Sequence, residues 1–348
     1  MSPFVLSVLI FSLGLGTTLT FASSHWLLAW MGLELNTMAI LPLMAQNHHP
    51  RAIEATTKYF LTQATAAAMI LFASTTNAWV LGEWNIQLTS HPLASSMIIL
   101  ALALKVGLAP MHFWLPEVLQ GLDLTTGLIL STWQKLAPFA LILQLSTISP
   151  DLLIFLGLAS TLIGGWGGLN QTQIRKILAY SSIAHLGWMI IVLKFAPSLT
   201  MLALALYIMM TSSVFLTLKY MNSTTINMLA TSWTKTPVIS TIAPLVLLSL
   251  GGLPPLSGFM PKWLILQELT KQQLPLTATL AALSALLSLF FYLRISYAMT
   301  LTMSPHTTTA STPWRLQNPQ STLALSITTM ITLGLLPILP TLTAPLIP

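Results

Sequence analysis

Residues 105–117 run Lys105-Val106-Gly107-Leu108-Ala109-Pro110-Met111-His112-Phe113-Trp114-Leu115-Pro116-Glu117, and residues 251–262 run Gly251-Gly252-Leu253-Pro254-Pro255-Leu256-Ser257-Gly258-Phe259-Met260-Pro261-Lys262. Both stretches lie inside apolar runs. Gly107-Leu108-x-Pro110 aligns with Gly252-Leu253-x-Pro255 at an offset of 145 residues, and the same offset pairs Pro116 with Pro261 and Trp114 with Phe259. Proline withdraws a helix hydrogen bond and kinks or breaks the chain. Backbone left unpaired at membrane depth persists only where protein or a wet cavity surrounds it. Interrupted spans at corresponding places in two halves of a membrane chain point to a transport site. Discontinuous helices are therefore expected near 107–116 and 252–261.

The rest of the chain demands lipid. Of 348 residues 55% are hydrophobic and 6% charged, with a mean hydropathy of +0.81, whereas a soluble domain carries about 25% charged residues. Runs of roughly 20 apolar residues, the length that crosses the hydrocarbon, lie at about 3–22, 25–45, 52–80, 93–117, 124–145, 150–170, 174–195, 197–220, 237–269, 274–300 and 321–346, which makes eleven spans. These are continuous blocks, not the ten-residue alternations of a membrane β-barrel. The expected fold is an all-α polytopic membrane protein. Its two breaks fall in the fourth and ninth spans, five apart. Five is odd, so successive five-helix units enter the membrane from opposite sides, as inverted repeats over 1–145 and 146–300. A polar loop and a C-terminal transmembrane helix (301–348) complete the chain.

Lys and Arg at span ends set orientation. Arg51, Arg175, Lys176, Lys219, Lys235, Arg294 and Arg315 fall on the N-terminal side, against Lys194 and Lys271 opposite. The N-terminus is thus expected in the cytoplasmic or matrix-like compartment and the C-terminus across the membrane. No charged, acid-poor leader precedes the first apolar run, so no removable targeting peptide is expected. Cysteine is absent, which excludes disulfides, thiolate metal sites, cysteine-ligated clusters and thiol catalysis. A net charge of +6 is too small for a nucleic-acid footprint.

Charges sit where none should be. Glu34 lies nine residues into the second span, Lys105 follows twelve apolar residues from Leu93, and Lys135 lies eleven residues into the fifth span. A charge at mid-membrane costs about 2.5–3.5 kcal/mol on the lenient insertion scale. Lys105 stands just before the first break and Lys262 just after the second. Either these groups pair and merely fix packing, or they form a proton or ion path, since a buried lysine can change charge cheaply. His112 and His185 also fall in apolar spans and could bridge protons between lysines. His185, after Ser181-Ser182, reads almost equally as a hydrogen-bonded structural residue. Lys58, four residues after Glu54, reads as an interfacial ion pair. Gly164-Gly165-Trp166-Gly167-Gly168 has the small-residue spacing of close helix packing. No nucleotide fingerprint or nucleophile–base–acid set is present, which disfavours a self-contained redox enzyme.

Together, Glu34, the Lys105–Glu117 run, Lys135 and the Gly251–Lys262 run resemble the antiporter-like membrane subunits of respiratory complex I, over essentially the whole chain. Bacterial members have fourteen spans; the eleven here resemble the shortened, mitochondrially encoded members of vertebrates. The resemblance implies a proton-pumping module of the inner-membrane arm. It implies that NADH, FMN, iron–sulfur clusters and ubiquinone are bound by other subunits, with no cofactor or metal in this chain. Glu34 and Lys105 would be the coupling pair, Lys135 the central relay lysine and Lys262 the lysine toward the exit or the neighbouring subunit, with His112 and His185 linking them through water. The implied partners are other core and supernumerary membrane-arm subunits and lipids such as cardiolipin, with no nucleic acid. A stand-alone cation/proton antiporter and a non-pumping scaffold subunit remain the alternatives.

Overall fold

The computed structural model describes residues 2–46, 48–145, 150–234, 236–301, 322–338 and 340–341. The loop from His306 to Gln320, the cations Lys235 and Arg315, and residues 321, 339 and 342–346 of the expected span at 321–346 lie outside the described residues.

Proline and glycine punctuate the helices. Proline in the first turn forfeits only an N–H that has no helical partner, and glycine at a helix end adopts the left-handed conformation that ties off the last carbonyls. Thus α3 (Pro50–Leu81) opens on Pro50 and stops at Gly82, φ 72°. α4 (Pro92–Val106) opens on Pro92 and stops at Gly107, φ 86°. α12 (Pro237–Gly251) opens on Pro237 and stops at Gly252, φ 79°. α10 (Pro197–Met221) begins with proline and ends on Asn222, φ 51°. The remaining long helices are α1 (Pro3–Ala22), α2 (Trp26–Met44), α8 (Pro150–Gly167), α9 (Ile174–Val192), α14 (Pro275–Thr300) and α15 (Leu323–Gly334). Hydroxyls inside them donate to the carbonyl three or four residues back, as Thr17 does to Gly14 O (2.9 Å), so they stay satisfied without water.

Among the described residues six helices are long and apolar enough to cross a membrane: α1, α2, α3, Leu124–Leu145, α10 and α14. Shorter apolar helices cover Pro92–Val106, Asp151–Gly167, Pro237–Gly251 and Leu323–Gly334.

Both expected discontinuities are present, but each is shorter than the sequence pattern implied. After the α4 break the chain resumes as α5 (Trp114–Gly121), and after the α12 break as α13 (Phe259–Lys271). Pro116 and Pro261 therefore sit third in their new helices, where the missing N–H is harmless. They open helices instead of ending them. The elements start at Pro92 and Pro237, stop at Gly107 and Gly252, and resume at Trp114 and Phe259, each pair 145 residues apart. A third interruption was not expected. The fifth span divides into α6 (Leu124–Ser131) and α7 (Trp133–Leu145) at Thr132.

The chain forms two compact units, Met1–Ser160 and Thr161–Pro348, with the boundary inside α8. In the first, α2 packs on α1 and α3, and α7 packs on α1, α2 and α4. In the second, α12 packs on α10, α14 and α15, and α13 on α9, α10 and α14. A similar clasp occurs in each unit. Residue 26 N donates to 84 O and 86 N to 24 O in the first, and 174 N to 224 O and 226 N to 172 O in the second. Each joins the entry of one helix to the exit of the next.

Helix contact at α1–α2 depends on two glycines. A Cβ on Gly32 would come 2.7 Å from Thr20 Cγ2 and 2.8 Å from Gly16 O. Gly32→Val is expected to wedge the helices apart at about 1–3 kcal/mol or more, measured as less assembled complex with unchanged transcript. Gly164 is equally confined, its Cβ position 2.7 Å from Ala184 N, which fits the packing role expected of that glycine cluster.

Candidate functional site

In the first unit, a small pocket among α2, α3, α4 and α7 is lined by Asn36, Thr37, Tyr59, Gln63, Lys105 and Gln134 together with apolar groups. Lys105 enters from the last turn of α4. Its residue is 7% exposed and its Nζ has no hydrogen-bond partner. Glu34, on α2, is half-buried and its Oε2 is also unpartnered. Its carboxylate acts electrostatically on both Lys105 and Tyr59, yet Glu34 and Lys105 form no ion pair within 4.0 Å. The two charges are coupled through space without direct contact. A cavity of this kind takes water when polar atoms surround it.

Lys135 is 3% exposed and lies in the first turn of α7, beside Gln134 on the cavity wall. Gln134 Nε2 donates to Asn36 O (3.2 Å), fixing α7 against α2. Pro138, one turn further on, also lines the cavity. His112 occupies the break between α4 and α5. It is buried, its Nδ1 is 3.2 Å from Pro110 O, and its ring packs on Phe113 at 4.4 Å. It does not line the Lys105 cavity. Trp114 Nε1 closes the end of α4 by donating to Leu104 O (3.0 Å).

In the second unit, Lys262 and His185 share a small pocket with Trp188, Met210, Gly258 and Pro261. Lys262 Nζ donates to Gly251 O at 2.8 Å. Gly251 is the last residue of α12, so the ammonium sits on a helix C-terminus, where the dipole favours a cation. The break requires glycine at 252, since φ is 79° and a Cβ would lie 3.0 Å from Lys262 Nζ. His185 also packs near Tyr207, ring centroids 5.7 Å apart.

Sequence reasoning marked the ionisable groups and passed over the amides. Asn36 and Gln63 are buried with unpartnered side-chain atoms, on the wall that holds Lys105. An amide in a lipid-spanning run is the signal that would have found them. Lys58 pairs with Glu54 as expected (2.7 Å) and also with Glu117 of α5 (2.7 Å). All three are partly exposed, so the pairing contributes little to stability but tethers α5 to α3. Among the described residues no group of three or more His, Asp or Glu could hold a metal ion.

Residues 23–288 match the family described as NADH:quinone oxidoreductase/Mrp antiporter, transmembrane, and residues 289–343 match the C-terminal family of NADH dehydrogenase subunit 2. The chain is 74% identical over 345 residues to NADH-ubiquinone oxidoreductase chain 2 of Oncorhynchus mykiss, covering 99% of each. It is likewise 74% identical to the chain of that name from Salmo salar, over 344 residues and 99% of each. Among solved structures it is similar to a chain of respiratory complex I from Thermus thermophilus with bound aureothin. That match has TM-score 0.87 and 29% identity, and covers 99% of this chain and 80% of that one. A chain of the Mrp complex from Dietzia shares the fold (TM-score 0.82, 17% identity, 96% and 75% covered).

Proposed function

The chain belongs to the NADH:quinone oxidoreductase/Mrp antiporter transmembrane family, in its NADH-ubiquinone oxidoreductase chain 2 branch, and on that premise we propose that Glu34, Lys105, Lys135 and Lys262, with His112 and His185, carry its protons. It is a proton-translocating, antiporter-like subunit of complex I, a multi-pass protein of the mitochondrial inner membrane. It serves an H⁺-translocating oxidoreductase whose other subunits are its partners.

The observation that carries the residue assignment is the state of Lys105. Its ammonium lies on a polar cavity with no hydrogen-bond partner, under the electrostatic influence of Glu34, whose Oε2 is also unpartnered. A packing charge would be bonded, because an unpaired buried charge is strongly destabilising. Glu34 is the group whose movement or neutralisation changes the proton affinity of Lys105. Lys135 is the central relay lysine, and Lys262, held on the α12 terminus, discharges toward the intermembrane space or the neighbouring subunit.

The finer architecture belongs to the same reading. Eleven spans form two inverted five-helix repeats, 1–145 and 146–300, followed by a loop and terminal helix over 301–348. The paired breaks and the paired clasps support this layout. The N-terminus faces the matrix and the C-terminus the intermembrane space, supernumerary subunits and cardiolipin cover parts of the lipid-facing surface, and electrons pass through cofactors held elsewhere in the complex.

Lys135→Met in the assembled complex tests the assignment. Normal assembly is expected, with the proton-to-electron ratio or coupled turnover lowered roughly tenfold or more, the scale of losing a positioned proton-transfer group. Assembly, ratio and turnover all at wild-type values would overturn it.

A further inference from the structure

The first cavity holds more unsatisfied polarity than Lys105 accounts for. Asn36 is 2% exposed, and neither its Nδ2 nor its Oδ1 has a partner. Gln63 is 3% exposed, and its Nε2 is unpartnered. Both line the cavity that contains Lys105. They reach it from different helices, α2 and α3. Buried amides without hydrogen bonds are rare in native proteins, and a polar void of water size is where their partners belong. The Asn36 side chain is also held in place, since a Cβ on Gly16 of α1 would collide with its Oδ1.

We propose that Asn36 and Gln63 form an amide cradle that binds a water molecule against Lys105 Nζ, and so act as positioning residues for proton loading and unloading at that lysine. The inference rests on the relay reading above and deepens it. A primary amide both donates and accepts, whereas an ammonium only donates and a carboxylate only accepts. The two amides can therefore orient the same water whichever way Lys105 is charged, without adding charge that would trap it in one state. Tyr59 on α3 is the titratable group that lines this space with Lys105, and Glu34 on α2 acts on both electrostatically. From α7 the lining residues are Gln134 and Pro138, neither of which titrates. Gln134 joins the Asn36 backbone to the residue before Lys135, so the cradle borders the next lysine along the chain of transfer.

The test uses the assembled complex carrying Asn36→Leu, Gln63→Leu, Asn36→Ser or, as reference, Lys105→Met. Leucine keeps the branched outline of asparagine and removes amide atoms that bond nothing in the protein, so a merely space-filling Asn36 would assemble and turn over normally. The expected result is normal assembly of both leucine variants. Coupled turnover falls about 3–10-fold, the scale of lost hydrogen bonds to the transferring group, with an enlarged solvent deuterium isotope effect. Asn36→Ser, which puts a hydroxyl in place of the amide and admits another water, recovers at least half of the loss. Wild-type turnover and isotope effect in both leucine variants would overturn the cradle, as would failure of both to assemble, since a water-holding amide is not needed for folding. If Lys105→Met is inactive while the amide variants are silent, only the cradle falls. If Lys105→Met is itself fully active, the relay reading falls with it.

Discussion

Lys105→Met is expected to raise the stability of the assembled complex while lowering its coupled turnover at least roughly tenfold. The two signs come from one fact, that Lys105 Nζ is buried with no hydrogen-bond partner. Methionine keeps an unbranched stem of similar length and removes a charge that costs about 2.5–3.5 kcal/mol in the middle of a membrane helix. Glu34 stays close enough to act on Lys105 electrostatically, but it makes no ion pair whose loss would offset that gain. Its own Oε2 is already unpartnered, so losing the lysine strands no bonded group. A lysine retained at such expense must be retained for what its proton does. The thermal midpoint of the complex, NADH:quinone turnover and the proton-to-electron ratio read the two effects separately. Glu34→Gln is expected to lower coupled turnover too. In the Lys105→Met background it adds little further loss, because groups acting as one unit are not additive. Lower stability with unchanged turnover in Lys105→Met would make the lysine a packing residue. Fully additive losses would separate Glu34 from it.

Much of this arrangement was legible before any coordinates. Proline at 92 and 237 and glycine at 107 and 252 dictate local backbone directly, through a missing N–H and a positive φ. Helix starts and stops were therefore readable, and so was the matching of the two breaks. Isolated charges were readable too, because lipid makes each one conspicuous. The extent of each break was misread, since Pro116 and Pro261 look like breakers until the chain is seen to restart two residues before them. The interruption at Thr132 was not readable from local propensity. It falls next to Trp133 and Lys135, and only Pro138 further along hinted at it. Asn36 and Gln63 escaped for a different reason. Their importance lies in bonds they fail to make, and whether an amide is satisfied depends on what three other helices bring to it. The second partner of Lys58 was hidden in the same way, because Glu117 is 59 residues away and meets it only once α5 lies against α3.

Lys262 predicts the opposite stability sign from Lys105, although both are proposed relay lysines. Its Nζ donates to Gly251 O at 2.8 Å, on the exposed end of the α12 dipole. Lys262→Met leaves that carbonyl short of a donor and the helix terminus without its cation, at a cost of about 1–3 kcal/mol. Coupled turnover is expected to fall roughly tenfold or more, as for any lost proton carrier. Taken alone, this result would not separate a carrier from a helix cap, so Lys262→Arg is the decisive comparison. Guanidinium keeps the charge and donors at the α12 terminus, but it stays protonated at any physiological pH. A capping role predicts that arginine restores both stability and pumping. A proton-carrying role predicts that arginine restores most of the stability and leaves coupled turnover near the methionine level. Gly252→Ala supplies the steric control, because the added Cβ would lie 3.0 Å from Nζ at a φ of 79°. It should displace the ammonium from Gly251 O without removing it, so its turnover should fall between wild type and Lys262→Met. If Lys262→Arg pumps at the wild-type ratio, Lys262 is a cap for α12 and the exit of the relay must lie at another residue.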